Sequence, residues 1–372
     1  MQNLSADDTL APYDAVLLLS FGGPEAPEEV VPFLQRVTAG RDVPPERLEE
    51  VAEHYHHFGG VSPINAQNRE LVAALQAELS ARGSALPVLW GNRNSDPYVA
   101  DTLRAARSEG LLHICVVVTS AYSSYSGCRQ YREDLAAATE ELGLAAVDLQ
   151  IDKVRPYAIH PGFIAANTER LVEAVQQVDP GNLATTRLLF VTHSVPEAMD
   201  DTSGPGDGDG NLYVDQHLRA GHLIAQGLSE RTGVTLEHEL VFCSRSGSPR
   251  TPWLEPDVND RLEELAAEGV TSVVLAPIGF VSDHMEVVND LDREARETAE
   301  RLGLSMVRVP TAGTHPLFVE ALVDLLQERA AEARGEVVVH PQADTRDLRP
   351  SVCAPGCCPN LRAARPALCG RD

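Results

Sequence analysis

Three acidic residues, spaced four apart, are the part of this sequence best suited to chemistry. Glu286, Asp290 and Glu294 share one face if their segment is helical. Like charges at this spacing destabilise a helix by about 0.2–0.5 kcal/mol per pair, so folding gives no reason for the row. The apolar run 271–280 precedes it and predicts a buried strand, whose carboxyl end is where open α/β sheets bind ligands. With His284, the row suits a path for a divalent cation; a solvated acidic helix face is the alternative.

Two other predicted strands end in residues that suit a binding site. The apolar run 188–192 ends at His193, and an imidazole accepts a proton or binds a metal near neutral pH. A lone histidine in such a place is also common as a structural residue. The run 15–20 leads into Phe21-Gly22-Gly23-Pro24, a turn that lets backbone approach a ligand closely. It lacks the spacing of a dinucleotide or phosphate-binding fingerprint.

The elements that must position these residues follow an alternating pattern. Apolar, β-branched runs alternate with amphipathic helical patterns, which predicts parallel α/β sheets. We expect two similar Rossmann-like lobes, at 11–160 and 161–334, each a parallel sheet flanked by helices, with a cleft between them. A tail, 335–372, follows, and we expect the last helix of the second lobe to return and pack on the first. The predicted strands are 15–20, 87–91, 113–120, 187–192, 239–243 and 272–277.

Composition excludes several classes of partner. The 372-residue chain carries a net charge of -25, whereas nucleic acids and anionic membranes attract basic surfaces. The first thirteen residues lack the pattern of a signal peptide, and no apolar run reaches the roughly 20 residues of a membrane span. We therefore expect a cytoplasmic protein, and a monomer because no apolar helix stripe exceeds what a core needs. Lys153 is the single lysine.

Six short motifs follow one another along the chain, at 21–25 (FGGPE), 55–64 (YHHFGGVSPI), 121–126 (AYSSYS), 192–196 (THSVP), 246–254 (SGSPRTPWL) and 281–286 (VSDHME). In this order they resemble the motifs of the ferrochelatases, the family that inserts Fe²⁺ into porphyrins. The resemblance extends from about residue 13 to about residue 333, and the combination of motifs is specific. It implies the two-lobed chelatase fold, with the porphyrin in the cleft between the lobes.

The resemblance implies roles for the histidine, the acidic residues and the phenylalanine described above. Iron insertion removes two pyrrole protons, and His193 is implied as the proton acceptor or metal ligand, with Glu286 as its carboxylate partner. Asp290 and Glu294 are implied to line the path of the metal. Iron in transit prefers oxygen and imidazole ligands, which this line supplies. Phe21 is implied on the opposite face of the ring, where many bacterial relatives have a tyrosine that can ligate product iron.

Other positions match those that contact substrate in the family. Tyr55, Ser62 and Tyr131 are implied as porphyrin contacts. Arg129 is expected to pair with a propionate carboxylate, since arginine binds carboxylates bidentately, and Arg36 and Arg41 are further candidates. His54 stands where an arginine is expected, so the propionate-binding region departs from the family pattern.

The segment 41–57 indicates which porphyrin is the substrate. Many relatives use an apolar lip here to collect protoporphyrin IX from a membrane, but this lip is acidic and unsuited to a bilayer. Coproporphyrin III has four propionates and is more soluble in water, so we expect it to be the substrate and its iron complex to pass to a downstream coproheme decarboxylase. The alternatives are a protoporphyrin IX ferrochelatase, a sirohydrochlorin-type chelatase and a porphyrin carrier without catalytic activity.

Four cysteines resemble the [2Fe–2S] site of cluster-bearing ferrochelatases. In those proteins one internal cysteine and three from a carboxyl-terminal extension hold the cluster, and four thiolates are the usual requirement. Here the set would be Cys128 with Cys353, Cys357 and Cys358. Adjacent cysteines are awkward joint ligands, so Cys369 is an alternative tail ligand. A zinc ion held by four thiolates and a set of free thiols also remain open.

Overall fold

Two parallel four-stranded sheets form the framework of the protein. The computed structural model describes residues 9–40, 43–143, 149–205, 210–245, 250–344 and 349–368. Arg41, Cys369 and part of the predicted motif at 246–254 lie outside these residues. The first sheet has the order β2-β1-β3-β4 and the second the order β6-β5-β7-β8, with every pair parallel. The strands are β1 Ala15–Ser20, β2 Val88–Asn92, β3 His113–Val118, β4 Gln150–Lys153, β5 Thr186–His193, β6 Glu237–Cys243, β7 Ser272–Ala276 and β8 Ser305–Arg308.

The apolar runs predicted the central strands, and the structure adds one edge strand to each sheet. β1, β3, β5 and β7 are almost wholly buried, as parallel strands covered on both faces must be. β4 and β8, which the sequence analysis missed, are four residues long, with three polar residues in β4 and two in β8. A four-residue edge strand carries too short an apolar run to be recognised by pattern. The prediction of three strands in each half was therefore wrong by one in each.

The helices cover both faces of the sheets, and two of them were missed. The unpredicted α1 places Val30, Phe33 and Leu34 on one buried side, an i, i+3, i+4 pattern that would have indicated it. The helices are α1 Val30–Val37, α2 Pro45–His57, α3 Ile64–Ala81, α4 Val99–Ser108, α5 Gln130–Glu141, α6 Pro161–Val175, α7 Glu197–Asp201, α8 Leu212–Thr232, α9 Val258–Ala267, α10 Met285–Val287, α11 Arg296–Leu302 and α12 Pro316–Ala333.

An aspartate followed by a proline is a common helix start, so the sequence predicts a helix over 97–109 with Asp96 as its N-cap and Pro97 in the first position. The structure shows that this start was wrong. The Pro97 carbonyl instead accepts a hydrogen bond from the Asn92 backbone N–H at 2.7 Å, and Tyr98 forms a parallel bridge with Asn92. These contacts keep the segment extended alongside the end of β2. The helix therefore begins two residues later, at Val99.

The helix that carries the acidic row is not a uniform α-helix. Between α10 and α11 the chain forms a π-helix over Val288–Ala295. A π-helix is wider than an α-helix and is frequent at functional sites. The row thus begins in one turn of α-helix and continues through the π-helix, which local sequence preference did not predict.

The last helix joins the two halves of the molecule. α12 packs against α6 and also against α3, which flanks the first sheet. The division of the chain near residue 160 stays a prediction, because the elements on either side of it share this helix. Within the described residues, no helix combines the length and the apolar character that crossing a membrane requires.

Candidate active site

A deep cleft lies between the two sheets, at the carboxyl ends of their strands. Residues following β1 and β3 form one wall, and residues following β5 and β7 form the other. Motif residues from distant parts of the chain meet here because parallel strands bring their carboxyl ends to one edge. The sequence-predicted residues that line the cleft are Phe21, Tyr55, Ser62, Tyr131, His193 and Glu286.

His193 and Glu286 face each other in the cleft. His193 is the last residue of β5, and its Nε2 lies 3.4 Å from Oε2 of Glu286. The His193 Nδ1–H donates to the backbone carbonyl of Ser194. Because a carbonyl only accepts, the proton of the neutral ring sits on Nδ1 and the Nε2 lone pair is available. The pair is therefore arranged as a proton acceptor with a carboxylate that stabilises the protonated ring.

The surroundings of His193 favour its protonated form. Burial lowers its pKa, but the hydrogen bond and charge of Glu286, the Ser194 carbonyl and the charge of Asp290 together outweigh it. The pKa of His193 is raised as a result. A base with a raised pKa takes up a proton more readily, which suits removal of pyrrole protons near neutral pH.

A second imidazole stands beside the pair. His284 Nδ1 lies 3.9 Å from the same Glu286 oxygen, and the ring packs edge-on against Phe280 at 5.1 Å between centroids. Burial lowers the pKa of His284, and the nearby His193 lowers it further. A neutral imidazole is the form that binds a metal. Each histidine thus places one ring nitrogen near the same Glu286 oxygen, at 3.4 Å for His193 and 3.9 Å for His284.

Asp290 lies behind this group, and Ser244 holds it there. Ser244, just after β6, donates its hydroxyl to Oδ2 of Asp290, and Asn289 Nδ2 donates to Oδ1 at 3.1 Å. Burial raises the pKa of Asp290 to about 6, with the charges of Glu286 and Glu294 adding to the effect. The sequence analysis missed Ser244. Its position directly after the end of a strand was a signal that could have identified it as a site residue.

Glu294 continues the acidic row toward the exterior. Its Oε1 accepts hydrogen bonds from Asn289 at 3.0 Å and from Arg293 at 2.9 Å. Its side chain is 38% exposed, so it is reached by solvent while Asp290 is largely covered. The three acids therefore run from the cleft toward solvent, as a route for a cation requires. Their assignment as the metal path stays a prediction.

We expect the buried carboxylate of Asp290 to lower the free energy of unfolding at neutral pH. The carboxyl pKa of Asp290 is about 6 in the folded protein, against an ordinary 3.8. The folded protein therefore binds this proton more tightly than the unfolded chain does, and the stability that the proton contributes is lost as pH rises through 6. We expect Asp290→Asn to raise the free energy of unfolding at pH 7.5 by about 1–3 kcal/mol, with little gain near pH 4. Urea unfolding at both pH values measures this.

The same substitution should impair the use of iron. If the acidic row is the metal path that the sequence predicts, removing one buried charge from it should raise the KM for Fe²⁺ roughly fivefold, the equivalent of about 1 kcal/mol. Glu297→Gln, an exposed acid on α11, is the matched control and should change neither property. A destabilised Asp290→Asn protein at pH 7.5 would contradict the argument.

The first lobe supplies an aromatic wall opposite His193. Phe21 packs edge-on against Phe33 at 6.0 Å, and Phe33 in turn contacts Tyr55. The Arg93 guanidinium lies 4.8 Å from the ring centre of Tyr131 and 5.6 Å from that of Phe21, while it pairs with Asp134. Arg93 was missed because nothing in its local sequence separates it from a surface arginine.

The turn after β1 depends on its glycines. Gly22 has φ +80°, and a Cβ at this position would lie 2.5 Å from Oγ of Ser95. A Cβ on Gly23 would lie 2.7 Å from Cβ of Ser62. Side chains are therefore excluded from both positions, and the backbone passes close to the cleft. Ser62 itself is buried, and its N–H donates to the Pro24 carbonyl at 2.8 Å.

The structure does not place Arg129 in the cleft. This side chain is buried, its Nε donates to Glu133 at 2.9 Å, and its guanidinium also donates to the backbone carbonyl of Arg365 at 3.2 Å. The expected contact between Arg129 and a propionate is therefore corrected to a role in holding the tail. Arg36 likewise donates to the Asn94 carbonyl at 2.6 Å and lies outside the cleft lining.

A buried network of polar side chains is hydrogen-bonded to the His193 backbone carbonyl. Tyr213 donates its hydroxyl to the His193 carbonyl at 2.9 Å and lies 2.8 Å from the Thr192 hydroxyl. Thr192 also bonds to His217, whose ring stacks on Tyr122 with 3.5 Å between centroids. Sequence reasoning missed this network because α8, which carries Tyr213 and His217, appeared as an ordinary amphipathic helix.

Comparison with known proteins agrees with this geometry. The ferrochelatase family profile matches residues 13–330. This chain belongs to the ferrochelatase family. A protein of Streptomyces coelicolor named coproporphyrin III ferrochelatase is 52% identical over 365 residues, covering 97% of each chain. A protein of Leifsonia xyli with the same name is 50% identical over 374 residues, covering 96% of this chain and 94% of that one.

This ferrochelatase brings its four predicted cluster cysteines together. The thiol of Cys128 is hydrogen-bonded to that of Cys353, which is also bonded to Cys357. Cys357 Sγ lies 3.8 Å from Cys358 Sγ. The Gly204 N–H donates to Cys358 Sγ at 3.2 Å, and the Cys358 N–H donates to the Gly204 carbonyl at 2.8 Å. The tail is thus attached through Cys128 to the first half of the chain and through Gly204 to the second.

Proposed function

We propose that this protein inserts Fe²⁺ into coproporphyrin III to form coproheme. The observation that carries the proposal is the His193–Glu286 pair, 3.4 Å apart, in a largely apolar cleft between the lobes. A flat macrocycle fits between two walls, and the pair presents a base to one of its faces. The relatives named coproporphyrin III ferrochelatase support the choice of porphyrin.

The reaction replaces two pyrrole protons with one ferrous ion. His193 accepts protons at Nε2, Glu286 stabilises the imidazolium, and the protons pass to solvent. We propose that Glu286 and His284 take Fe²⁺ from Asp290 and Glu294 and release it to the four pyrrole nitrogens. The aromatic wall of Phe21 and Tyr131 packs against the other face of the ring. Phe21 has no ligating atom, so product iron has His193 as its protein ligand.

The charges of the cleft and its lip support a substrate with many carboxylates. Within the described residues, the lining includes three arginines, Arg47, Arg93 and Arg362, and one carboxylate, Glu286, in a protein of net charge -25. α2 at the lip turns Leu48 and Val51 inward and its acidic residues outward. An acidic outer surface does not bind an anionic membrane, which supports a porphyrin taken from water.

Anaerobic Fe²⁺ insertion into coproporphyrin III and protoporphyrin IX, followed by loss of porphyrin fluorescence, tests the proposal. Two additional carboxylates should favour coproporphyrin III by about tenfold in kcat/KM, at up to about 1 kcal/mol each. Equal or faster use of protoporphyrin IX would contradict the choice of substrate. Tight binding of both porphyrins without insertion would instead indicate a carrier.

The tail cysteines support a resident [2Fe–2S] cluster held by Cys128, Cys353, Cys357 and Cys358. Pairwise contacts link the four thiols in the order Cys128, Cys353, Cys357 and Cys358, and the Gly204 backbone N–H donates to the last of them, as suits thiolate ligands. Such a cluster would supply one-electron redox chemistry, and metal insertion as proposed requires none. Its assignment over zinc rests on the family resemblance.

Lys153 gives an independent reason to expect negative charge beside Cys128. This single lysine is 1% exposed, and within the described residues its ammonium donates to the Val154 carbonyl at 2.7 Å. Its charge lowers the pKa of the Cys128 thiol, against the larger raising effects of the bond to Cys353 and of burial. A buried ammonium without an anion is costly, and a cluster of net negative charge would offset that cost.

Two expectations about partners extend the proposal. Coproheme would pass to a decarboxylase, because a haem with four propionates is an intermediate that requires shortening of two of them. The protein would act as a monomer, since its cleft is complete within one chain. Light scattering and a coupled assay with added decarboxylase test these expectations.

A further inference from the structure

The segment after the tail cysteines reaches the porphyrin cleft. Asn360 donates its side-chain amide to the Tyr125 hydroxyl at 2.9 Å and to Glu133 at 3.0 Å. Its side-chain oxygen accepts hydrogen bonds from the backbone N–H groups of Arg362 at 3.0 Å and Ala363 at 3.3 Å. An asparagine that bonds to backbone two residues ahead fixes a tight turn. The turn places Arg362 in the wall of the cleft.

The partners of the turn are themselves held in place. Tyr125 lines the cleft and donates to Glu133 at 3.1 Å, and Glu133 is paired with the buried Arg129. Arg129 also donates to the Arg365 carbonyl, so the chain is bound on both sides of Arg362. The backbone that carries Arg362 is therefore held in place on both sides, while the residue itself stays exposed.

Arg362 differs from the other two arginines of the lining. Arg47 is paired with Glu50, and Arg93 is paired with Asp134. Arg362 is exposed, and over the described ranges no carboxylate lies within ion-pair distance of it. A guanidinium at the mouth of a cleft, without a protein partner, is suited to an anionic group of a bound molecule.

We propose that Arg362 binds a propionate carboxylate of the porphyrin, which makes the cysteine-bearing tail part of the substrate site. This inference rests on the proposed function, since the proposed substrate supplies the carboxylates. It assigns the tail a role that does not depend on electron transfer. It also gives a reason why the tail is anchored beside Tyr125 rather than elsewhere on the surface.

Fluorescence titration with coproporphyrin III and with its tetramethyl ester tests the assignment. We expect Arg362→Gln to raise the Kd for coproporphyrin III about three- to tenfold, Arg362→Lys to raise it less, and neither to affect the ester. The effect should shrink in 0.5 M salt, because the contact is solvent-exposed. Arg365→Gln, an exposed arginine of the same tail outside the cleft lining, is the matched control.

A second variant tests the turn without changing charge. Asn360→Ala should raise the Kd for coproporphyrin III as well, and the double variant with Arg362→Gln should be little worse than Arg362→Gln alone, because both act through one contact. Visible absorption and circular dichroism of each variant should match those of the wild type, which excludes loss of the tail fold.

Three results would overturn the assignment: a Kd for Arg362→Gln within twofold of the wild type, an equal loss in Arg365→Gln, or an equal loss for the ester. Each can occur while the wild type still metallates coproporphyrin III. Failure of the proposed function has a different signature, namely a wild-type protein that does not metallate this porphyrin.

Discussion

Glu286→Gln should reduce the rate of Fe²⁺ insertion by about 10²–10⁴-fold, the range for loss of a group that assists proton transfer. The amide cannot stabilise the protonated His193, and it is a poorer ligand for an incoming cation. Porphyrin affinity should stay within about threefold of the wild type, because the aromatic wall is unchanged. Stopped-flow insertion assays and fluorescence titration measure the two quantities separately.

His193→Ala should produce a loss of the same size, and the double variant should be little worse than either single one, since the two residues act as a unit. Glu297→Gln, on the same stretch of helices but exposed, should leave insertion unaffected. Retention of more than a tenth of wild-type activity in Glu286→Gln would show that another residue carries the proton. His284, which shares the Glu286 carboxylate, would be the first to consider.

Cys128→Ser should remove the visible absorption of an iron–sulfur cluster and lower the stability of the purified protein by about 2–4 kcal/mol. That range is an estimate from the cost of losing a cross-link between the tail and the first lobe. Iron and acid-labile sulfide analysis, with a zinc assay alongside, identifies what the wild-type thiols bind. Chemical denaturation under anaerobic conditions measures the loss of stability.

Cys115→Ser provides the control for this measurement. Cys115 is a buried residue of β3 that packs in the hydrophobic core. Its replacement therefore also costs stability, but it should leave the visible absorption of the cluster intact. A Cys128→Ser protein that keeps a full complement of iron and sulfide would remove Cys128 from the ligand set. One zinc ion per chain in the wild-type protein would show that the four thiols bind zinc rather than an iron–sulfur cluster.

Local pattern in the sequence was sufficient for most of the framework. The central strands β1, β3, β5 and β7 are near-continuous apolar runs, and such runs are recognisable because both of their faces are buried. The family motifs identified His193 and Glu286, and the structure brings the two within 3.4 Å of each other. Strand order and the π-helix at Val288–Ala295 had no such signal, because each depends on packing between segments distant in sequence.

The sequence by itself determined the fold class, the ferrochelatase resemblance, and the residue types that we propose to handle protons and iron. Only the tertiary structure decided which arginines line the cleft: Arg129 faces the tail, whereas Arg47, Arg93 and Arg362 lie in the lining. The physical reason is that a long, charged side chain has no local pattern that fixes its direction. Its position depends on partners such as Glu133 and Asp134, which only the folded chain brings near.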